Sequence, residues 1–91
     1  MSLAHQKYAK RRDQNEPEIV QCLQALGFHV VRLDVPCDLL VTRRGLVHQV
    51  EIKVGKGKLT PDQQEYVRKT KAPVHILRDV TGAIAWAKTV P

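Results

Sequence analysis

The sequence predicts an α/β domain in which a mixed sheet is flanked by helices, with its elements in the order α-β-β-β-α-β-β. Three observations carry this. Residues 46–54 read Leu-Val-His-Gln-Val-Glu-Ile-Lys-Val, an apolar run suited to a buried strand. Ile19, Leu23 and Leu26 recur at helical spacing, flanked by Val20 and Cys22, and Gly27 follows them. Thr60-Pro61-Asp62-Gln63 is a capping box with proline in the first turn, the signature of a second helix start.

Taken in order, residues 1–12 form a basic tail with no apolar face, suited either to a solvated end or to a nucleic-acid-binding arm. The first helix is expected over residues 13–26, capped by Asp13 or Asn15, with Pro17 in its first turn and Gly27 ending it. Strands follow at 28–33 and 38–42, and Arg43-Arg44-Gly45 makes the hairpin turn into the strand at 46–54. Gly55-Lys56-Gly57-Lys58 reads as a mobile basic loop. The second helix runs to about Thr70, a strand is expected at 73–77, and Asp79-Val80-Thr81-Gly82 turns into a last strand at 83–87. A meander followed by a crossover implies a mixed sheet with a helix on each side.

Ninety-one residues make one domain, here 13–91 after the tail, with a core small enough for oligomerisation to help it. Fifteen Lys plus Arg against nine Asp plus Glu give a net charge of +6 and a pI near 9.7, which leans towards a polyanionic partner. Cys22 and Cys37 supply neither a disulfide framework nor a zinc quartet, and point to a reducing cytoplasm. The sequence holds no signal peptide and no apolar stretch long enough to span a bilayer, so no membrane role is expected.

Chemistry concentrates on Asp38, Glu51 and Lys53. Side chains alternate along a strand, so Glu51 and Lys53 share one face while Val50, Ile52 and Val54 take the other. Charges on so apolar a strand need a cleft, a metal or partners, because burying them unpaired is costly. Two converging carboxylates bind a hard divalent cation through oxygen, and a neighbouring lysine holds a water or a phosphate. Glu16 shares the inward face of the first helix with Ile19 and Leu23, although a carboxylate there is also explained by the positive helix start. Glu18, further round the helix, fits the dipole role better. Gln63 is either the reciprocal cap of Thr60 or an amide that orients water or phosphate, and spacing favours the cap. The plain alternative makes Asp38 a turn residue and Glu51 with Lys53 a surface ion pair. The four histidines have no ligand spacing, His48 lies on the face opposite Glu51, and Phe28 and Trp86 suit the core.

Asp38 and Glu51-Ile52-Lys53, preceded by Asn15-Glu16-Pro17-Glu18-Ile19-Val20 and by Gly27-Phe28-His29-Val30-Val31-Arg32, resemble the PD-(D/E)xK nuclease superfamily. Leu59-Thr60-Pro61-Asp62-Gln63 is similar to the glutamine-helix start of its VRR-NUC branch, the small stand-alone proteins of phages and prophages. The first half also resembles archaeal Holliday-junction resolvases. The resemblance covers about residues 13–70. It departs from the motif names: Cys37 separates Pro36 from Asp38, and Val31-Arg32 is followed by Leu33.

The resemblance implies a restriction-endonuclease-like core and a catalytic set of Glu16, Asp38, Glu51, Lys53 and Gln63. Asp38, Glu51 and the Ile52 carbonyl would hold Mg²⁺, for which Mn²⁺ substitutes, with Glu16 assisting through water. Lys53 would position or deprotonate the attacking water. The expected activity is cutting of Holliday or branched DNA junctions; a nicking or flap endonuclease and a catalytically silent DNA-binding module are the alternatives. Lys7, Lys10, Arg11, Arg12, Arg43, Arg44, Lys56 and Lys58 are expected to meet phosphates. A domain with a radius of roughly 13 Å engages one arm of a junction. Two symmetric cuts therefore call for a two-fold homodimer, formed through the last strand with Trp86 or through the outer face of the first helix.

Overall fold

The computed structural model describes residues 13–91, and the expected arm carrying Lys7, Lys10, Arg11 and Arg12 lies outside them. The first helix, α1, is Glu16–Ala25, with Pro17 in its first turn and Ile19, Val20 and Leu23 buried along one stripe. Its end is a Schellman motif. Gly27, at φ +93°, donates its N–H to Gln24, and Phe28 donates to the Leu23 carbonyl at 3.0 Å while its ring enters the core. Its start differs from the expected cap. Neither Asp13 nor Asn15 caps with its side chain; the Asp13 carbonyl accepts from Glu16 N–H, and the Asn15 amide is used elsewhere.

Four strands follow in the spatial order β1-β2-β3-β4: β1 His29–Arg32, β2 Leu39–Arg43, β3 Leu46–Ile52 and β4 Val74–Leu77. β1, β2 and β3 form an antiparallel meander, and β4 pairs parallel to β3. The β2–β3 hairpin turns on Arg44 and Gly45 at φ +54° and +80°, the left-handed pair that matches strand twist in a two-residue loop. β3 stops at Ile52, two residues before its expected end, so Lys53 leaves the sheet with its N–H on the Leu77 carbonyl.

The crossover from β3 to β4 carries α2, Pro61–Thr70, opened by the Thr60–Gln63 capping box. The chain then departs from expectation. Residues 83–87 are not a strand: Val80–Ala87 is a third helix, α3. The order is α-β-β-β-α-β-α, the sheet has four strands, and β4 forms one edge. Asp79 decides this, because its Oδ1 accepts the Gly82 N–H at 2.6 Å as an N-cap. Ala83 and Ala87, one turn apart, then bury together.

Leu39, Val41, Val50, Ile52 and Leu77 share one face of the sheet and pack with Ile19, Val20 and Leu23 of α1, Phe28, and Ala83 and Ala87 of α3. His48 lies on that same face, in an aromatic group with Phe28, His75 and Trp86. The other face carries Gln49 and Glu51, which α2 meets through Tyr66, Thr70 and Gln63. Helices therefore lie on both faces, two against one. Among the described residues no helix is long and apolar enough to cross a membrane, and neither cysteine is in a disulfide.

Candidate functional site

Three polar side chains are buried among the described residues, and all are acids: Glu16, Asp38 and Glu51, each 2 % exposed or less. A carboxylate so enclosed loses several kcal/mol of hydration unless donors or cations replace it. Asp38 ends the loop before β2. Its N–H bonds the Val50 carbonyl, and its Oδ2 accepts the Ile52 N–H at 2.6 Å. Leu39 pairs with Val50, so one step further along the register Asp38 stands across from Glu51. The two acids are held at the same end of neighbouring strands.

Gln63 completes the arrangement: it makes the expected cap, and the same amide touches Glu51 and Lys53. Its Oε1 accepts from Thr60 N–H at 2.9 Å, closing the capping box, and from Lys53 Nζ at 2.7 Å. With the carbonyl end fixed by two donors, the amide NH₂ must face an acceptor. It donates to Glu51 Oε1 at 3.2 Å. One amide thus links the Glu51 carboxylate, the Lys53 ammonium and the start of α2.

Two supports were not legible from the motifs. The Asn15 amide donates to the Lys53 carbonyl at 3.1 Å and the Arg78 carbonyl at 2.7 Å, pinning the start of α1 to the ends of β3 and β4. Arg78 Nη1 in turn donates to the Gly55 and Gly57 carbonyls, tethering the basic loop expected to be mobile. Gly57 folds back over Lys53: a Cβ there would meet the Val54 carbonyl at 3.1 Å and Lys53 Cβ at 3.8 Å. An asparagine at a helix start signals Asn15 as a polar anchor; nothing local to Arg78 signals its role.

Glu16 faces inward from the first turn of α1, as its spacing requires, and pairs with Arg32 Nε at 3.3 Å. It does not join Asp38 and Glu51 as a third direct ligand: among the described residues no three His, Cys, Asp or Glu side chains are grouped to hold a metal ion. Mg²⁺ is commonly held by one or two carboxylates together with waters and substrate phosphate, and Asp38 and Glu51 are the residues that would hold it. Two enclosed acids at one sheet end are a donor set of that kind.

Arg43 corrects the list of phosphate contacts. Its guanidinium donates to the carbonyls of Leu26, Ala87, Val90 and Pro91 and lies 4.1 Å from the centre of the Phe28 ring. It fastens the end of the chain to the core. Arg44, Lys56 and Lys58 are exposed, with their charges available to solvent. A cleft of about 530 Å³ is lined by Gln63 together with Asp34, Val35, Pro36, Thr60, Asp62 and Tyr66. None of the family models, curated proteins and solved structures compared with this chain matches it.

Proposed function

We propose that this protein is a Mg²⁺-dependent, structure-selective DNA endonuclease on a restriction-endonuclease-like core, acting on Holliday or other branched junctions. The observation that carries the reading is the Gln63 amide joining Glu51 to Lys53 where Asp38 is pinned to the Ile52 N–H. Enclosed carboxylates beside an ammonium, with Lys56 and Lys58 exposed on the loop after β3 and Arg44 at the far end of the hairpin, suit a phosphodiester better than a neutral substrate. The meander followed by a parallel strand, with acids at the start of β2 and the end of β3, supports the proposed core.

In this reading Asp38, Glu51 and the Ile52 carbonyl hold the ion, with Glu16 reaching it through water. When bound, Mg²⁺ lowers the pKa of a coordinated water and offsets charge on the phosphate; Mn²⁺ serves as well. Lys53 holds or deprotonates the attacking water, and Gln63 fixes the Lys53 ammonium and orients the Glu51 carboxylate. Arg44, Lys56 and Lys58 contact phosphates without reading bases. The working unit is a two-fold homodimer that places two sites on symmetry-related strands. With residues 83–87 helical, an interface built from a last strand is gone, and the outer face of α1 is the candidate that stays.

The test is Mg²⁺-dependent cleavage of junction, flap, nicked and linear DNA of matched sequence, with light scattering at micromolar concentration. Paired symmetric cuts in junctions by a dimer are expected. Single nicks by a monomer favour the flap or nicking enzyme, and metal-independent binding without cutting favours a silent DNA-binding module.

A further inference from the structure

The cleft that Gln63 lines has no part in the scheme above. Its volume, about 530 Å³, lies in the range of small-ligand pockets. One wall is residues 34–36, where Val35 is 80 % exposed, the highest value among the exposed large apolar side chains described. Pro36 and the half-buried Tyr66 continue that apolar surface, and Thr60, Asp62 and Gln63 form the polar side. From these we infer that the cleft receives one unpaired nucleobase of the DNA strand being cut, beside the scissile phosphate; the inference rests on the nuclease reading and deepens it.

Three features favour a base over a phosphate. Two donors at the start of α2 are already used, since Thr60 Oγ1 accepts the Gln63 N–H and Gln63 Oε1 accepts the Thr60 N–H. Carboxylates at Asp34 and Asp62 repel a phosphate, and the exposed Asp62 can accept from the amino and imino donors on base edges. Tyr66 is the aromatic lining residue on which a base can stack, and Val35 and Pro36 add apolar surface beside it. Position supplies the rest. Gln63 lines the cleft and also touches Glu51 and Lys53, so this one side chain links a base in the cleft to the acids. A paired and stacked base does not reach such a pocket. Selection for branch points, flaps and single-stranded ends follows, because these supply an unpaired nucleotide without melting a duplex.

The experiment uses the full chain with Ca²⁺ in place of Mg²⁺, titrated with single-stranded hexathymidylate and with an abasic oligomer of the same length. Wild type should bind the thymidylate about tenfold more tightly than the abasic strand, with the largest amide shifts at Val35, Asp62 and Gln63. Val35→Ser, at an exposed position that leaves folding intact, should erase the difference while keeping the affinity for the abasic strand. Equal wild-type affinities, an unchanged difference in Val35→Ser, or shifts confined to Arg44, Lys56 and Lys58 overturn the inference. Base-dependent binding that persists in a protein unable to cut any DNA with Mg²⁺ overturns the nuclease reading and leaves the base pocket standing.

Discussion

Gln63 holds a helix start and a carboxylate with the same amide, so its removal should be felt twice. Gln63→Ala is expected to lower stability by about 1 kcal/mol through the lost cap and cleavage about a hundredfold through the lost positioning. Thr60→Ala is the control, losing the cap with cleavage changed only a few-fold; thermal melts and single-turnover rates separate the two effects. Glu51→Ala and Lys53→Ala should abolish cleavage while DNA binding and fold persist, and near-normal turnover in either would remove the assigned site. Glu16 was legible because an acid on an otherwise apolar helix stripe has few structural reasons to be there, and Glu51 because a charge on so apolar a strand needs partners. The cap made by Gln63 was legible from its spacing, but its contacts with Glu51 and Lys53 were not, since spacing along α2 does not reveal how close the end of β3 lies. One residue outside the site carries a pH signature. Burial first, and the nearby His48 second, push the His75 imidazole below its ordinary value. The folded state then favours the neutral ring, so stability is full above about pH 6.5 and falls as the pH drops through the lowered folded value. Melting temperature between pH 7.5 and pH 5 should show this slope, and His75→Leu should flatten it.

At the scale of elements, α3 marks where pattern reading failed. Ala83-Ile84-Ala85-Trp86-Ala87 alternates small with large and so satisfies the period of a strand, while Ala83 and Ala87 equally satisfy the period of a helix. The tie is broken by Asp79, whose carboxylate is better placed to cap a helix than to begin a turn. Asp79→Ala should destabilise by about 1 kcal/mol, lowering the melting temperature by roughly 4–8 °C in a domain of this size. The antiparallel hairpin and α2 were read correctly because both depend on local chemistry: a two-residue turn in one case, a capping box in the other. Arg44 fills a left-handed position that a branched or long side chain adopts at some strain. Arg44→Asn should therefore raise stability by about 0.5–1 kcal/mol while removing one of the proposed phosphate contacts. A melt and a binding titration on the same variant would show the two changes with opposite signs.

Across the whole molecule, the exposed and the enclosed cations should part company under salt. Binding is expected to follow a slope of about −0.9 per phosphate neutralised in a plot of log affinity against log salt, and loss of Arg44, Lys56 or Lys58 should each reduce that slope by about one. Arg43→Ala should instead destabilise by about 2 kcal/mol, through lost carbonyl bonds and the lost contact with Phe28, and leave the slope unchanged in the folded protein. No sequence pattern distinguishes Arg43 from Arg44, because the difference arises where α3 and the end of the chain return to the β2 strand. The position of Asp38 and Glu51 has a kinetic meaning as well. Both acids belong to a hairpin closed by two residues, and the bond from Ile52 N–H to Asp38 spans only fourteen positions. Hairpins of this kind form in microseconds, whereas a parallel pair such as β3 with β4 waits for its long crossover to close. The two carboxylates should thus be brought together early in refolding, before Lys53 and Gln63 meet. Pulse-labelled hydrogen exchange would detect this order as protection of the Ile52 amide ahead of the Lys53 amide, which bonds to β4. An early pair of converging acids repels itself, so divalent cations in the refolding buffer should accelerate the first phase and leave the second unchanged.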